Sequence, residues 1–301
     1  MIKDKFLYRI VVAYVHKVMV ALNPKKEMER VYKKVFHKMP DIDHPTNLIE
    51  KIYWLQLHSD TSMWTKCADK YNVREYLHDL GLDSYLPQLY GKWDSVEEIR
   101  FDELPNKYIL KTNNGCGTCI IVKNNDKDVE SIKKQLKQWL IVPYGWSGAQ
   151  IHYTRIRPCI IAEQLLENSP KDILVSPDSL IDYKIWCFNG EPECILVVYG
   201  RKGHNAHLAL YDLEWNPIPD YLVSIKTKKF SADVSIERPA CLKEMLALAR
   251  QLSAPFKEVR VDLYVIDDRP YFGELTFTTG YGYFTDEYYN YLGSKIEIDQ
   301  F

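Results

Sequence analysis

The 301-residue sequence predicts an α+β fold with mostly antiparallel sheets, and three patterns carry that expectation. The first 60 residues read as helices with no strand pattern. Beyond residue 100, short apolar or alternating runs follow one another at 108–112, 119–123, 160–165, 183–188, 194–199 and 207–212, with turn signals between several of them. A final stretch, "VRVDLYVIDDRPYFGELTF", alternates on both sides of a polar turn and reads as a hairpin. This order is not that of a doubly wound parallel sheet.

The helical opening is punctuated at Asn23-Pro24 and again by "MPDIDHPTN" over 39–47. "KCADKYNVREYLHDLGL" predicts a helix over about 66–80, with Gly81 as its C-terminal stop. A short helix then follows "SYLPQLYG" and leads into the strand "YILKT". Two further helices, "DKDVESIKKQLKQWL" from Asp126 and "RPACLKEMLALARQLS" from Arg238, interrupt the strands. The aromatic tail "YGYFTDEYYNYLG" has two readings, core packing for most of its rings or a sugar-stacking surface.

Composition bounds the class of protein. A hydrophobic fraction of 46% supports a real core in one large domain or two ordinary ones. Seven cysteines, odd in number and irregularly spaced, do not form a disulfide framework and point to a reducing, intracellular compartment. "MIKDKFLYRIVVAYVHKVMVAL" is interrupted by Arg9, His16 and Lys17 and has no small-residue cleavage site, so neither a cleaved signal nor a membrane span is expected. Residues 1–38 hold ten Lys/Arg against three Asp/Glu, leaving 29 against 38 for the rest. That basic, apolar-striped opening reads either as a helix packed on its own domain or as an amphipathic helix on the cytoplasmic face of an anionic inner membrane. No basic and aromatic pattern continues past residue 38, so nucleic-acid binding is not expected.

Chemistry-bearing residues concentrate in three places. In the last hairpin, a loop over 267–269 would set residue 266 against 270 and therefore Asp262 against Glu274, with Arg260 on the same face. Facing carboxylates call for compensation, by a hard cation such as Mg²⁺ or by Arg260 alone on a solvated face. In "YILKTNNGCGTCIIVK", Lys111 precedes a glycine loop in which Gly115 and Gly117 permit close backbone approach to phosphate. The Cys116-x-x-Cys119 spacing there lacks a second C-x-x-C for a zinc site and does not open a helix as a redox pair would. A second lysine, Lys184 in "DYKIWCFNG", follows the strand "IIAEQLL" that ends in Glu163. His204 and His207 lack a nearby third ligand and read as a solvent-exposed loop. Lys66, Lys70 and Arg74 share a predicted helical face and read either as carboxylate contacts or as a solvated stripe.

Taken in order, these motifs resemble the ATP-grasp superfamily over roughly 66–284. "ADKYNVREYLHDLGLDSYLP" is similar to its first helical segment, and "YILKTNNGCGT" to its strand, lysine and mobile glycine loop. "IIAEQLL" is similar to its adenine hinge, "DYKIWCFNGEP" to the next strand, and "RVDLYVIDDRPYFGELTF" to its magnesium hairpin. The wording "DKYNVREYL", "LPNKYILKTNNG" and "RVDLY…YFGELTF" most resembles the TupA-like group, which is associated with teichuronopeptide-type and capsular polysaccharide assembly. Thr276 stands where most members have a metal-binding Asn, Cys116 replaces a small loop residue, and "TTGYGYF" lacks the proline often found there.

The resemblance implies two α+β subdomains clamping ATP, at 66–165 and 166–301, after a helical region at 1–65. It implies ATP contacts at Lys111, Asn114, Gly115, Gly117, Thr118, Glu163, Gln164, Leu166, Asp182 and Lys184, and Mg²⁺ on Asp262, Glu274 and Thr276. Arg260, Lys184 and Arg201 would act on the reacting groups. The implied activity is a carboxylate–amine ligase working through an acyl phosphate on small-molecule or glycan substrates. A sugar phosphotransferase and a non-catalytic assembly scaffold remain as alternatives.

Overall fold

The computed structural model describes residues 5–123, 128–203, 205–223, 230–231 and 236–298. In chain order the elements are α1 (Lys5–Leu22), α2 (Pro24–Phe36), α3 (Leu48–His58), α4 (Ser62–Ala68), α5 (Val73–Asp79), β1 (Leu89–Trp93), β2 (Tyr108–Thr112), β3 (Cys119–Val122), α6 (Val129–Ile141), α7 (Ile151–Thr154), β4 (Ile160–Glu163), α8 (Pro170–Ile173), β5 (Asp182–Phe188), β6 (Glu191–Lys202), β7 (Asn205–Tyr211), β8 (Phe230–Ser231), α9 (Leu242–Ser253), β9 (Glu258–Ile266), β10 (Arg269–Thr276) and α10 (Asp286–Ser294). They form two compact units. One comprises the described part of Met1–Lys38 with Asp60–His78 and Pro87–Leu165; the other comprises Met39–Ser59, Asp79–Leu86 and the described part of Leu166–Phe301. The helical opening is thus shared between them.

The first unit is built on a four-stranded antiparallel sheet in the order β1-β4-β2-β3. The alternation of "YILKT" is what organises it: Tyr108 and Leu110 enter the core with Ile160 and Ala162, against Ile132 and Leu136 of α6. Ile109 and Lys111 are only half-buried, so the pleat directs Lys111 away from that core. The Asp128 side chain caps α6 by accepting from the Ser131 N–H at 3.0 Å.

The second unit carries a six-stranded sheet, β10-β9-β5-β6-β7-β8, antiparallel except for the short parallel β7–β8 pair. The amphipathic α9 packs on β5, β6 and β9 and buries Leu242, Met245, Leu248 and Leu252. The Cys187 thiol meets Ser253 of α9 and is pushed up to about 12 by burial. Strand alternation therefore leaves Asp182, Lys184 and Trp186 on the face away from α9. The α3 helix begins in a capping box, with Asn47 accepting from the Ile49 and Glu50 N–H groups and Glu50 answering the Asn47 N–H. It packs against α10, where a side chain at Gly293 would strike the Thr46 carbonyl.

The α+β, mostly antiparallel expectation holds, while some details differ. The single helix expected over about 66–80 is two helices. Asp69 accepts from the Tyr71 and Asn72 N–H groups and makes a turn in place of the helix. The β1 strand was not foreseen, because all five of its residues are half-buried and no alternation marks it. The start of the Asp126 helix and His204 lie outside the described residues; α6 begins at Val129, and His207 is on β7, stacked on Tyr199. Phe284, Tyr288 and Tyr289 of the aromatic tail are buried, in line with core packing, while Tyr291 is exposed.

One buried group stands apart. Glu258 opens β9 fully buried, and neither carboxylate oxygen has a hydrogen-bond partner among the described residues. Burial raises its pKa well above the ordinary carboxylate value, and the nearby Arg260 charge offsets only part of that. An acid whose folded value is raised stabilises the fold fully below its unfolded value, and that contribution is lost as pH rises toward the folded value. Glu258→Gln is therefore expected to gain stability relative to the parent chain as pH rises from 5 to 8, read as urea midpoints at about those two pH values. A difference that does not change with pH would show that Glu258 is not held neutral.

Candidate active site

On the second unit, strand register gathers the charged residues. Asp262 on β9 pairs with Lys184 on β5 and with Glu274 on β10, while Arg260 pairs with Trp186 and Thr276. Arg260 donates from Nε to Asp262 Oδ1 at 2.6 Å and from Nη2 to Oδ2 at 2.8 Å, and Lys184 Nζ donates to Oδ2 at 2.5 Å. Burial alone would raise the Asp262 pKa, but these two cations hold it below the ordinary value. Burial would likewise lower Lys184, yet Asp182 and Asp262 raise it, so the ammonium stays charged.

Further contacts fix these groups. Arg260 donates to Thr279 Oγ1 at 3.0 Å and Thr276 Oγ1 at 3.2 Å, and its guanidinium lies 5.3 Å from the Trp186 ring centroid. The Thr276 hydroxyl donates to Glu274 Oε1 at 3.5 Å, so it links Glu274 to Arg260. Asp182 lies 3.6 Å from Lys184 and 2.9 Å from Arg201. The Asp182 charge, with burial, raises the Tyr264 phenol well above its ordinary value; the phenol is hydrogen-bonded to that carboxylate, a contact not foreseen from the sequence.

The hairpin reaches this pairing by a different route from the expected one. Its turn has two residues, Asp267 and Asp268, both at positive φ (50° and 59°), so residue 266 pairs with 269. A bulge between Phe272 and Glu274 then inserts one extra residue, which restores the Asp262–Glu274 match. The residue at the bulge is Gly273, where a Cβ would lie 2.8 Å from the Asp262 carbonyl oxygen.

On the first unit, Lys111 Nζ donates to Glu163 Oε2 at 2.8 Å and Arg74 Nη1 donates to Oε1 at 3.0 Å. The glycine loop between β2 and β3 is tied at its root. Asn113 donates to Asp69 at 2.9 Å and to the Arg157 carbonyl, accepts from the Cys159 N–H, and Lys70 Nζ donates to the Gly115 carbonyl at 2.8 Å. The Thr112 hydroxyl donates to Thr118 Oγ1 at 2.7 Å across the base, and a Cβ at Gly115 would strike that Thr118 side chain. Asn114 is buried, whereas Cys116 and Gly117 form an exposed tip. All seven cysteines, Cys116 and Cys119 included, are free thiols.

Lys66, Lys70 and Arg74 thus have three separate partners, Glu75, Gly115 and Glu163, in place of one shared face. The Gln164 N–H is used by the Gln88 carbonyl at 2.8 Å; Leu166 follows at the start of the second unit. Among the described residues no cluster of three or more His, Cys, Asp or Glu is arranged to hold a metal.

A family model described as TupA-like ATPgrasp matches residues 50–297. The chain belongs to the TupA-like ATP-grasp family. No curated protein matches its sequence. Among solved structures, D-alanine–D-alanine ligase from Bacillus anthracis complexed with ATP is similar at 17% identity and TM-score 0.48, over 77% of this chain and 65% of that one. The ADP complex of purK, N5-carboxyaminoimidazole ribonucleotide synthetase, is similar at 13% identity and TM-score 0.45, over 76% and 50%. The Helicobacter pylori D-alanine–D-alanine ligase is similar at 14% and 0.41, over 77% and 59%. The TupA-like ATP-grasp chain therefore spans about half to two thirds of the length of these structures.

Within this TupA-like chain, Gly273 is the residue on which the acid pairing rests. Gly273→Ala is expected to destabilise the second unit by about 1–3 kcal/mol, because backbone must move to admit the methyl. Urea unfolding checks this, and an unchanged midpoint would mean that the bulge does not hold the register.

Proposed function

We propose that the protein is an ATP-dependent carboxylate–amine ligase of cell-surface polysaccharide assembly, joining an amino acid or amino sugar to a uronic-acid-type glycan unit in the cytoplasm. The observation that carries this is the cross-strand cluster of buried Arg260 and Asp262 with half-buried Lys184 and Glu274 in a member of the TupA-like ATP-grasp family. The lysines and arginine suit the charge that develops during phosphoryl transfer to a carboxylate.

Mg²⁺ fits the donors present: Asp262 and Glu274 offer hard oxygens in cross-strand register, and such an ion takes one or two protein carboxylates with phosphate and water completing its shell. When bound, it would neutralise charge on the nucleotide phosphates. Thr276 holds Glu274 toward Arg260 and serves as a positioning hydroxyl or a further oxygen donor. Lys184 stays cationic beside the transferred group. Arg260, locked by Asp262, Thr276 and Thr279, presents a fixed charge to the acyl phosphate, and Arg201 beside Asp182 steadies the carboxylate substrate.

In the first unit, Lys111 and the loop of Asn114, Gly115, Gly117 and Thr118 would bind phosphate. Glu163 orients Lys111, and the backbone at Gln164 and Leu166 would meet the base. Since the Gln164 N–H is engaged by Gln88, its carbonyl is the group left for an adenine amine.

Two outcomes test the reading. ADP release is expected only when a candidate acid and an amine are both present with ATP and Mg²⁺; release with a hydroxyl sugar alone would instead establish a phosphotransferase. Glu274→Gln is expected to lower turnover by about 100-fold or more while the melting temperature stays close to the parent's. Full activity in that variant would remove Glu274 from the site.

A further inference from the structure

We propose that the α1–α2 pair docks the protein on an anionic lipid bilayer. The two helices divide the labour by exposed residue type. Among the side chains described on α1, the exposed ones are apolar except for Lys17. Tyr8, Val11, Val15, Val18, Met19 and Leu22 are all at least 44% exposed, and Leu22 reaches 81%. At 100° per residue these positions and Tyr14 fall within an arc of roughly 140°, opposite the side on which Val20 is buried. An apolar stripe of that width is what a helix lying in the interface presents to acyl chains.

The exposed positions of α2 are 26, 30, 33 and 34, and every one is Lys or Arg. Arg30 is committed to the buried Glu27 at 2.7 Å, whereas no carboxylate pairs with Lys26, Lys33 or Lys34 among the described residues. The helices are joined at Asn23, which caps α2, and His16 of α1 contacts Glu27 of α2 at 3.1 Å, so stripe and charges move together. Lys17, at the border of the stripe, lies over the Tyr14 and Trp146 rings at 5.7 and 5.8 Å, a cation and aromatics of the kind that sit at headgroup depth. Among the described residues no helix is long and apolar enough to cross a membrane, so attachment is to the surface. Charge complementarity selects an anionic bilayer over a second copy of the chain, which would set the same lysines against one another.

The test is co-sedimentation of the full chain with vesicles of equal parts phosphatidylcholine and phosphatidylglycerol, against vesicles of phosphatidylcholine alone. Binding is expected to the mixed vesicles and to weaken as salt is raised, by roughly fivefold for each surface lysine that is screened or reversed. Val15→Asp with Val18→Asp should lower binding about tenfold or more, and Lys26→Glu, Lys33→Glu and Lys34→Glu together should abolish the anionic preference. ADP release without vesicles should be unchanged in both variants, which shows that they fold. Absence of binding at low salt, or binding that ignores both variants, would overturn the proposal. So would a concentration-dependent doubling of mass that the valine variant abolishes, since a second copy would then cover the stripe.

Discussion

The structure of the second unit depends on one buried carboxylate. Asp262 is nearly inaccessible to water and is satisfied by Arg260 and Lys184 from two strands. Removing one partner of such a group leaves a charge in a poor dielectric, at a cost of several kcal/mol. The register of β5 against β9, the bulge in β10 and the packing of Arg260 on Trp186 all serve to keep those partners in place. On the proposed reading, a site held this way has its cations in place before phosphate charge arrives.

The first unit solves the opposite problem. Its loop is firm at the root, where Asn113, Asp69 and Lys70 consume the backbone groups, and open at the tip, where a Cβ at Gly117 would meet nothing within 4 Å. Gly117 sits at φ 69°, a conformation that side chains rarely adopt. A rigid base with a permissive tip lets a loop cover a ligand while Lys111 stays fixed by Glu163.

Much of this was legible in the sequence because strands with one buried face display their alternation. "YILKT" shows it most plainly, and its observed limits coincide with the expected ones. The charged face on β5, β9 and β10 was legible for the same reason, as alternating acids and bases stand out against Val and Leu. What escaped detection depends on distance in sequence. The Asn113–Asp69 bond spans 44 residues and leaves no local pattern, and the Asp182–Tyr264 contact joins two strands. The break between α4 and α5 turns on one Asp side chain that competes with the helix, an effect that propensity over a window averages away.

The two-residue turn and the bulge at Gly273 hold one residue between them. A three-residue turn without a bulge would pair the same two acids, so the loop expected over 267–269 and the observed turn agree on the partners. A hairpin of this kind has two interchangeable places to store a single amino acid. Deleting Gly273 while the two-residue turn is kept would remove the bulge and still set Glu274 against Asp262, whereas straightening the bulge without a deletion would set Gly273 there instead. Length variation between relatives is therefore expected at the turn and at Gly273 independently, because a residue gained in the one or lost from the other leaves the two acids opposed.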